Sequence, residues 1–307
     1  MVERPPVVSP PQRRRGRRPP TPRELAFRRA LAVFAVLVLL GFLGWGAFAL
    51  VGSGGGGSSG TRGTLPPPPR PFKIVFPEGF TRRDMAKRIT AVDKIAMRER
   101  GVRPRLSSSA YLRATRGTQA IPGFGARSYA LEGFLFPATY DFTAQTTSPQ
   151  LVKAQLAAFG RNWSGLDLGY AKRKNLTPYD VLTIASMIEA ETLAPDERRL
   201  VSAVIYNRLH RHMPLGIDAT IRYALDIPGT QSLRQSELQN PTLYNTRLHP
   251  GLPPTPIGNP GLASMQAAAH PAQVNYLYFV RKPDKVHHFF TASFSAFQNY
   301  ANAHGYG

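Results

Sequence analysis

The chain has 307 residues, no cysteine and a formal net charge of +21 at pH 7. That length allows one large or two modest domains, and the lack of cysteine excludes disulfide frameworks and cysteine-held metals. The basic excess has no dense basic helix or recognisable nucleic-acid module, so no nucleic acid is expected; a high-pI organism or an anionic polymer outside the cell accounts for it.

Residues 1–29 form a Pro/Arg-rich tail, "MVERPPVVSPPQRRRGRRPPTPRELAFRR", with the composition of a disordered segment. Residues 30–61 carry no charge, and "ALAVFAVLVLLGFLGWGAFALV" (30–51) is long enough to cross a bilayer core. A cleaved signal peptide is the competing reading, but its apolar region would be shorter and would precede a cleavage site rather than a glycine-rich run. The expectation is therefore a single-pass anchor. The arginines before it keep the N-terminus in the cytoplasm and put the remaining chain outside the plasma membrane. Residues 52–71, "GSGGGGSSGTRGTLPPPPRP", read as a linker, flexible first and stiffer through its prolines.

Phe72, Ile74 and Phe76 alternate as in a half-buried strand. Pro77-Glu78-Gly79 makes a turn, and Thr81 caps a helix bearing Met85, Ile89 and Val92. This strand–turn–helix opening resembles a LysM-like glycan-binding unit, expected over 72–120. The aromatic stretch "LEGFLFPATYDF" (131–142) reads as a core strand and turn, the alternative being a loop whose rings stack on sugars.

From 151 to 209 the pattern is helical. Thr177 as N-cap, Pro178 at the first position and Asp180 three residues after the cap start one helix, with Val181, Ile184, Ala185 and Ile188 as its buried stripe. A second spans 195–210, with Val201, Val204 and Ile205 inward. Residues 211–262, rich in Gly, Pro and Asn, read as a long loop region with few regular elements. "YLYFV" (276–280) and "HHFFTA" (287–292) read as a hairpin, and "FSAFQNYANA" as a closing helix. The fold class expected is α+β: a small LysM-like subdomain, then a larger mixed α/β catalytic domain (121–307), on the membrane anchor.

Phosphate-binding loops, nucleophile elbows and zinc helices are missing from the sequence. His210 and His212 are two apart, and His287 and His288 are adjacent on a strand and so point to opposite faces; neither pair has metal spacing. No metal and no cofactor is expected. What remains is carboxylate chemistry. "ASMIEAET" (185–192) places Glu189 and Glu191 in an apolar helix about 200° apart, so they cannot share a face. A carboxyl on such a helix has its protonated form favoured by desolvation, as a general acid requires. Periodicity does not choose between the two glutamates.

Several stretches resemble one family in order and spacing: "IVFPEGFTRRDMAKRI", "LEGFLFPATY", "ASMIEAET", "VIYNRL" with "MPL", "DATIRYAL", "LYNTRLHPGLPPTPIGNPG", "AAAHP" and "YLYFV". Over residues 72–303 the chain is similar to the endolytic murein transglycosylases of the YceG-like (MltG) family. The resemblance implies Glu189, the first glutamate of the signature, as catalytic acid/base. It implies Glu132 of "LEGF", Asp218, Thr220, Tyr244, Asn245 and Thr246 as substrate-binding residues. The family's Gln-Ser/Thr-Asp-Pro-Thr run is "GIDAT" here, so Gly216, Ile217 and Ala219 depart from it while Asp218 and Thr220 remain.

The implied reaction cleaves the β-1,4 bond between N-acetylmuramic acid and N-acetylglucosamine within peptidoglycan strands, closing a 1,6-anhydro ring without water. The implied protein partners are cell-wall synthases or division proteins. A muramidase-type hydrolase using Asp218 as second carboxylate is the alternative enzyme. A non-catalytic peptidoglycan-binding scaffold is the alternative of another class.

Overall fold

A computed structural model describes residues 71–305. The stretches read as a tail (1–29), an apolar span (30–51) and a linker up to residue 70 lie outside the described residues. Among the described residues no helix is long and apolar enough to cross a membrane.

Strand β1 (Phe72–Val75) buries Ile74, and Phe76 just after it, by the alternation read from the sequence. Thr81 then caps α1 (Arg82–Arg100) in a reciprocal capping box with Asp84. The helix stops at Gly101, whose φ of 61° allows its N–H to close on Ala96 and Met97 carbonyls. Helix α2 (Ser108–Ala114) packs between α1 and α3 (Ser148–Trp163). Tyr111 of α2 fixes that packing, its hydroxyl donating to Gln155 Oε1 at 2.8 Å.

The unit expected to close near residue 120 draws its second strand from further along the chain. β1 pairs antiparallel with β4 (Thr139–Phe142), Ile74 opposite Tyr140. A short hairpin, β2 (Thr118–Ala120) with β3 (Ser128–Ala130), lies between them in sequence. The intervening "LEGFLFP" segment is a turn with Leu131, Phe134 and Leu135 buried. Phe134 joins Phe124, Tyr129, Phe159, Trp163 and Tyr179 in an aromatic cluster.

After α4 (Gly169–Arg173), Thr177 and Asp180 form a capping box at the start of α5 (Pro178–Glu191). The expected stripe on α5 is wider than periodicity indicated: every residue from Val181 to Ile188 is buried. A helix enclosed on all sides is a core helix, and its neighbours are α6 (Arg198–His210), α7 (Asp218–Leu225) and α9 (Leu262–Ala269). Helix α6 begins at Arg198, after a 3-10 turn over Pro195–Glu197. The 211–262 region holds α7 and the single turn α8 (Gln235–Leu238) between its loops.

The expected hairpin and closing helix are β5 (Tyr278–Arg281) with β6 (His288–Thr291) and α10 (Phe294–Ala303). His287 and His288 point apart. His287 is exposed beside Asp284, whereas His288 is buried with Glu197, Nδ1 to Oε2 at 2.7 Å.

Candidate active site

The core helix α5 ends in the cleft. Glu189 is its first residue past the buried run, so the helix carries a carboxyl from an apolar interior to a part-buried position. Two residues of "ASMIEAET" hold the facing loop. Ser186 Oγ accepts the Ile257 N–H at 3.0 Å, and Glu189 Oε2 accepts the Gly261 N–H at 2.9 Å. Gly261 is the N-cap of α9, so Glu189 also lies at the positive end of that helix. Among the described residues Gly261 is the only protein donor to Glu189.

The loop "GLPPTPIGNPG" is held from its other side by the turn ahead of α1. Gly79 N–H donates to the Asn259 carbonyl at 2.8 Å, and Asn259 N–H to the Phe80 carbonyl at 3.0 Å. The approach is close enough that a Cβ on Gly258 would stand 2.6 Å from the Gly79 oxygen. The same turn brings in Glu78, which the sequence showed only as a turn residue. Its carboxyl folds back on Gly261, where a Cβ would lie 1.8 Å from Oε1. Partial burial, and then the charge of Glu189, push Glu78 above the ordinary carboxyl value; the Arg198 guanidinium opposes them.

Glu132 is the centre of a third group of contacts. It is 4 % exposed, and Oε1 accepts from the Arg82 N–H at 3.0 Å and from Asn259 Nδ2 at 2.9 Å. Oε2 accepts from the Tyr223 hydroxyl at 3.1 Å. Burial dominates these partners and pushes its carboxyl up to about 7. Asn259 completes the hub: its Oδ1 accepts the Leu135 N–H and its Nδ2 also donates to the Phe80 carbonyl. Glu132 and Asn259 thus tie the "LEGF" turn, the start of α1 and the loop into one rigid wall.

The other residues expected to bind substrate divide in two. Asp218 and Tyr244 are part-exposed; Asp218 is paired with Arg247 at 2.7 Å, and Tyr244 shares a hydrogen bond with Thr255 at 2.8 Å. Thr220, Asn245 and Thr246 are buried and bonded within the protein. Thr246 Oγ1 accepts the Ile217 N–H, Thr220 donates to the Ile217 carbonyl, and Asn245 Nδ2 donates to the Leu238 and Asn240 carbonyls. Their polar groups serve the 217–246 loops rather than the cleft surface.

Glu191, on the other side of the helix from Glu189, is part-buried against the first turn of α7. Its carboxyl lies near Ala219 and is pushed up by burial and by the charge of Asp218, against the pull of Arg281 and Arg222. Asp218 therefore neighbours Glu191, and the second carboxyl beside Glu189 is Glu78.

Gly79, Ala190, Ala219, Tyr223 and Ile257 line a cleft of ≈ 380 Å³ between the Pro-Glu-Gly turn and α7. Two hollows of ≈ 520 Å³ lie elsewhere, one by α6 and residues 272–276, the other by the end of α1. Among the described residues no three His, Asp or Glu side chains are grouped to hold a metal.

Fold and site together define a mixed α/β protein whose core helix ends in a part-buried carboxyl held against the 257–261 loop. The chain belongs to the YceG-like family, whose model matches residues 61–303. It is 39% identical over 163 residues to an endolytic murein transglycosylase of Streptococcus pneumoniae, covering 51% of this chain and 29% of that protein. It is 36% identical over 155 residues to an endolytic murein transglycosylase of Bacillus subtilis, covering 50% of this chain and 42% of that one. The chain thus spans less than half the length of these curated relatives. A crystal structure of a YceG-like protein from Listeria monocytogenes matches with a TM-score of 0.61 and 27% identity, over 74% of this chain and 75% of that one.

Proposed function

We propose that this chain is an endolytic lytic transglycosylase of peptidoglycan, with Glu189 as its single acid/base. The observation that carries the reading is the state of that carboxyl: one oxygen is held by the Gly261 N–H, and no other donor among the described residues occupies it. Protonated, Glu189 gives its proton to the glycosidic oxygen between N-acetylmuramic acid and N-acetylglucosamine. As a carboxylate it then takes the proton of the muramyl C6 hydroxyl as that oxygen closes the 1,6-anhydro ring. The proton is returned, so no water is consumed. The names of the two curated relatives support this assignment.

Asp218 and Tyr244 are the contacts proposed for the glycan at the cleft rim. Glu132, Thr220, Asn245 and Thr246 act behind them by fixing the wall and loops. The β1–α1–α2–β4 order supports a LysM-like subdomain, drawn with its last strand at 139–142. The apolar run 30–51 supports reading this chain as anchored with its body on the outer side of a bacterial plasma membrane, where glycan strands, cell-wall synthases and division proteins are the partners proposed.

Glu78 beside Glu189 favours one second reading, a muramidase-type hydrolase with two carboxyls. Digestion of purified glycan strands by the full chain and by Glu189→Gln tests catalysis at this site. Cleavage by the wild type alone is the result expected. Equal inactivity of both, with the fold retained, points instead to a binding scaffold. Unchanged cleavage by the variant removes Glu189 from the chemistry.

A further inference from the structure

Glu78 takes part in no step described so far, and its turn context does not mark it. Its placement does. A Cβ on Gly261 would stand 1.8 Å from Glu78 Oε1 and 2.7 Å from Oε2, while the N–H of that same glycine donates to Glu189 Oε2 at 2.9 Å. Two acids address one residue, one at its Cα and the other at its amide, and leave no room for a side chain. The turn is fixed in place by the paired backbone bonds between Gly79–Phe80 and Asn259, and a Cβ on Gly79 would touch the Glu189 Cγ at 3.4 Å.

We propose that Glu78 is a positioning residue that forms a carboxyl pair with Glu189 across Gly261, so that the pair retains a proton for the leaving glycosidic oxygen. The inference rests on Glu189 being the acid/base. Like charges brought together disfavour the doubly ionised state, and the two protons then leave in steps that belong to the pair. Glu189 pushes Glu78 upward, second to partial burial. Facing the pair from α6 is Arg198, whose Nε is held by Ser264 Oγ at 3.3 Å; α9 contributes the Gly261 amide and carries no charged residue. Arg198 favours ionisation of Glu78 and so limits how strongly the pair holds its proton. Because Glu78 is only partly buried and keeps much of its surface in solvent, screening keeps the coupling modest.

The test is the pH profile of glycan cleavage by the full chain, wild type against Glu78→Gln. Removing one negative charge of the pair makes its remaining proton easier to lose, so the alkaline limb moves to lower pH. Gly261→Ala keeps both acids but forces the Glu78 carboxyl aside, and the limb moves the same way. A uniform fall in rate with the limb in place, in both variants, overturns the proposal. A second readout does not depend on cleavage: Glu78 followed by carbon NMR titrates at lower pH in Glu189→Gln than in the wild type. An unmoved Glu78 midpoint overturns the pairing, whereas inactive wild type with a moved midpoint overturns only the assigned reaction.

Discussion

Glu132 and Glu189 stand on two walls of the same loop, and they differ in how much of each carboxyl the protein has already used. Glu132 is buried and has an Arg82 N–H, an Asn259 amide and a Tyr223 hydroxyl on its two oxygens. Glu189 is part-buried and has one backbone donor. A buried carboxyl with its acceptor sites occupied holds the architecture together, because moving it would orphan several donors. A carboxyl with open acceptor sites beside a cleft can exchange a proton with something that enters. Both glutamates lie in stretches that resemble the family, "LEGF" and "ASMIEAET", but their environments differ: one is tied into the wall, and the other is the one proposed for the chemistry.

That contrast is tested first where the effect is largest. Glu189→Gln should lower glycan cleavage by roughly 10²–10⁴-fold, the usual contribution of a general acid, with little change in the unfolding midpoint. Glu132→Ala should do the reverse in stability, costing on the order of 3 kcal/mol through the lost buried bonds, read as a lower urea midpoint. If Glu189→Gln unfolds the chain as readily as Glu132→Ala, the division between wall and chemistry is lost.

A pH series sharpens the same contrast. The Glu132 carboxyl is pushed from its ordinary 4.5 to about 7 by burial. Between those values the folded state binds the proton and the unfolded state does not, so ∂ΔG/∂pH is negative there. The contribution is fully present below about 4.5 and is lost as pH rises through 7, on the order of 3 kcal/mol in all. Urea unfolding at pH 5 and pH 8 should show this loss in the wild type and not in Glu132→Gln. Parallel losses in the two proteins would assign the pH dependence elsewhere.

Smaller effects are expected around α5. Ser186→Ala leaves the Ile257 N–H without its acceptor and should cost about 1–2 kcal/mol, with a matching loss of order in the loop seen by hydrogen exchange. Glu191→Gln should retain cleavage within a few-fold, since its carboxyl serves the start of α7 rather than the cleft. An inactive, folded Glu191→Gln would reverse the choice between the two glutamates.

How far the sequence was legible follows from how local each determinant is. The capping boxes Thr81–Asp84 and Thr177–Asp180, strand β1 and the β5–β6 hairpin depend on neighbours within a few residues, and periodicity found them. Helices α7 and α9 were hidden because each is 8 residues long, with no side-chain cap. The β1–β4 pairing was not legible, because it joins residues about 70 apart in sequence, as Phe72 opposite Phe142 shows.

The site was less legible for the same reason. Asn259 meets Phe80 across a separation of 179 residues and Glu132 across 127. Glu78 reaches Gly261 only because that clip exists. Resemblance singled out Glu189 where helical angles could not. The two glycines of "GNPG" were the available signal for Glu78: both are spared a Cβ by close contacts with the Pro-Glu-Gly turn.

The most direct test of the central claim is the mass of the product ends when purified glycan strands are digested by the full chain in H₂¹⁸O. Glu189 acting as sole acid/base with an internal C6 hydroxyl gives 1,6-anhydromuramyl ends without ¹⁸O, and Glu189→Gln gives no new ends. Reducing muramic acid ends carrying one ¹⁸O would show that water attacks instead and would contradict the account.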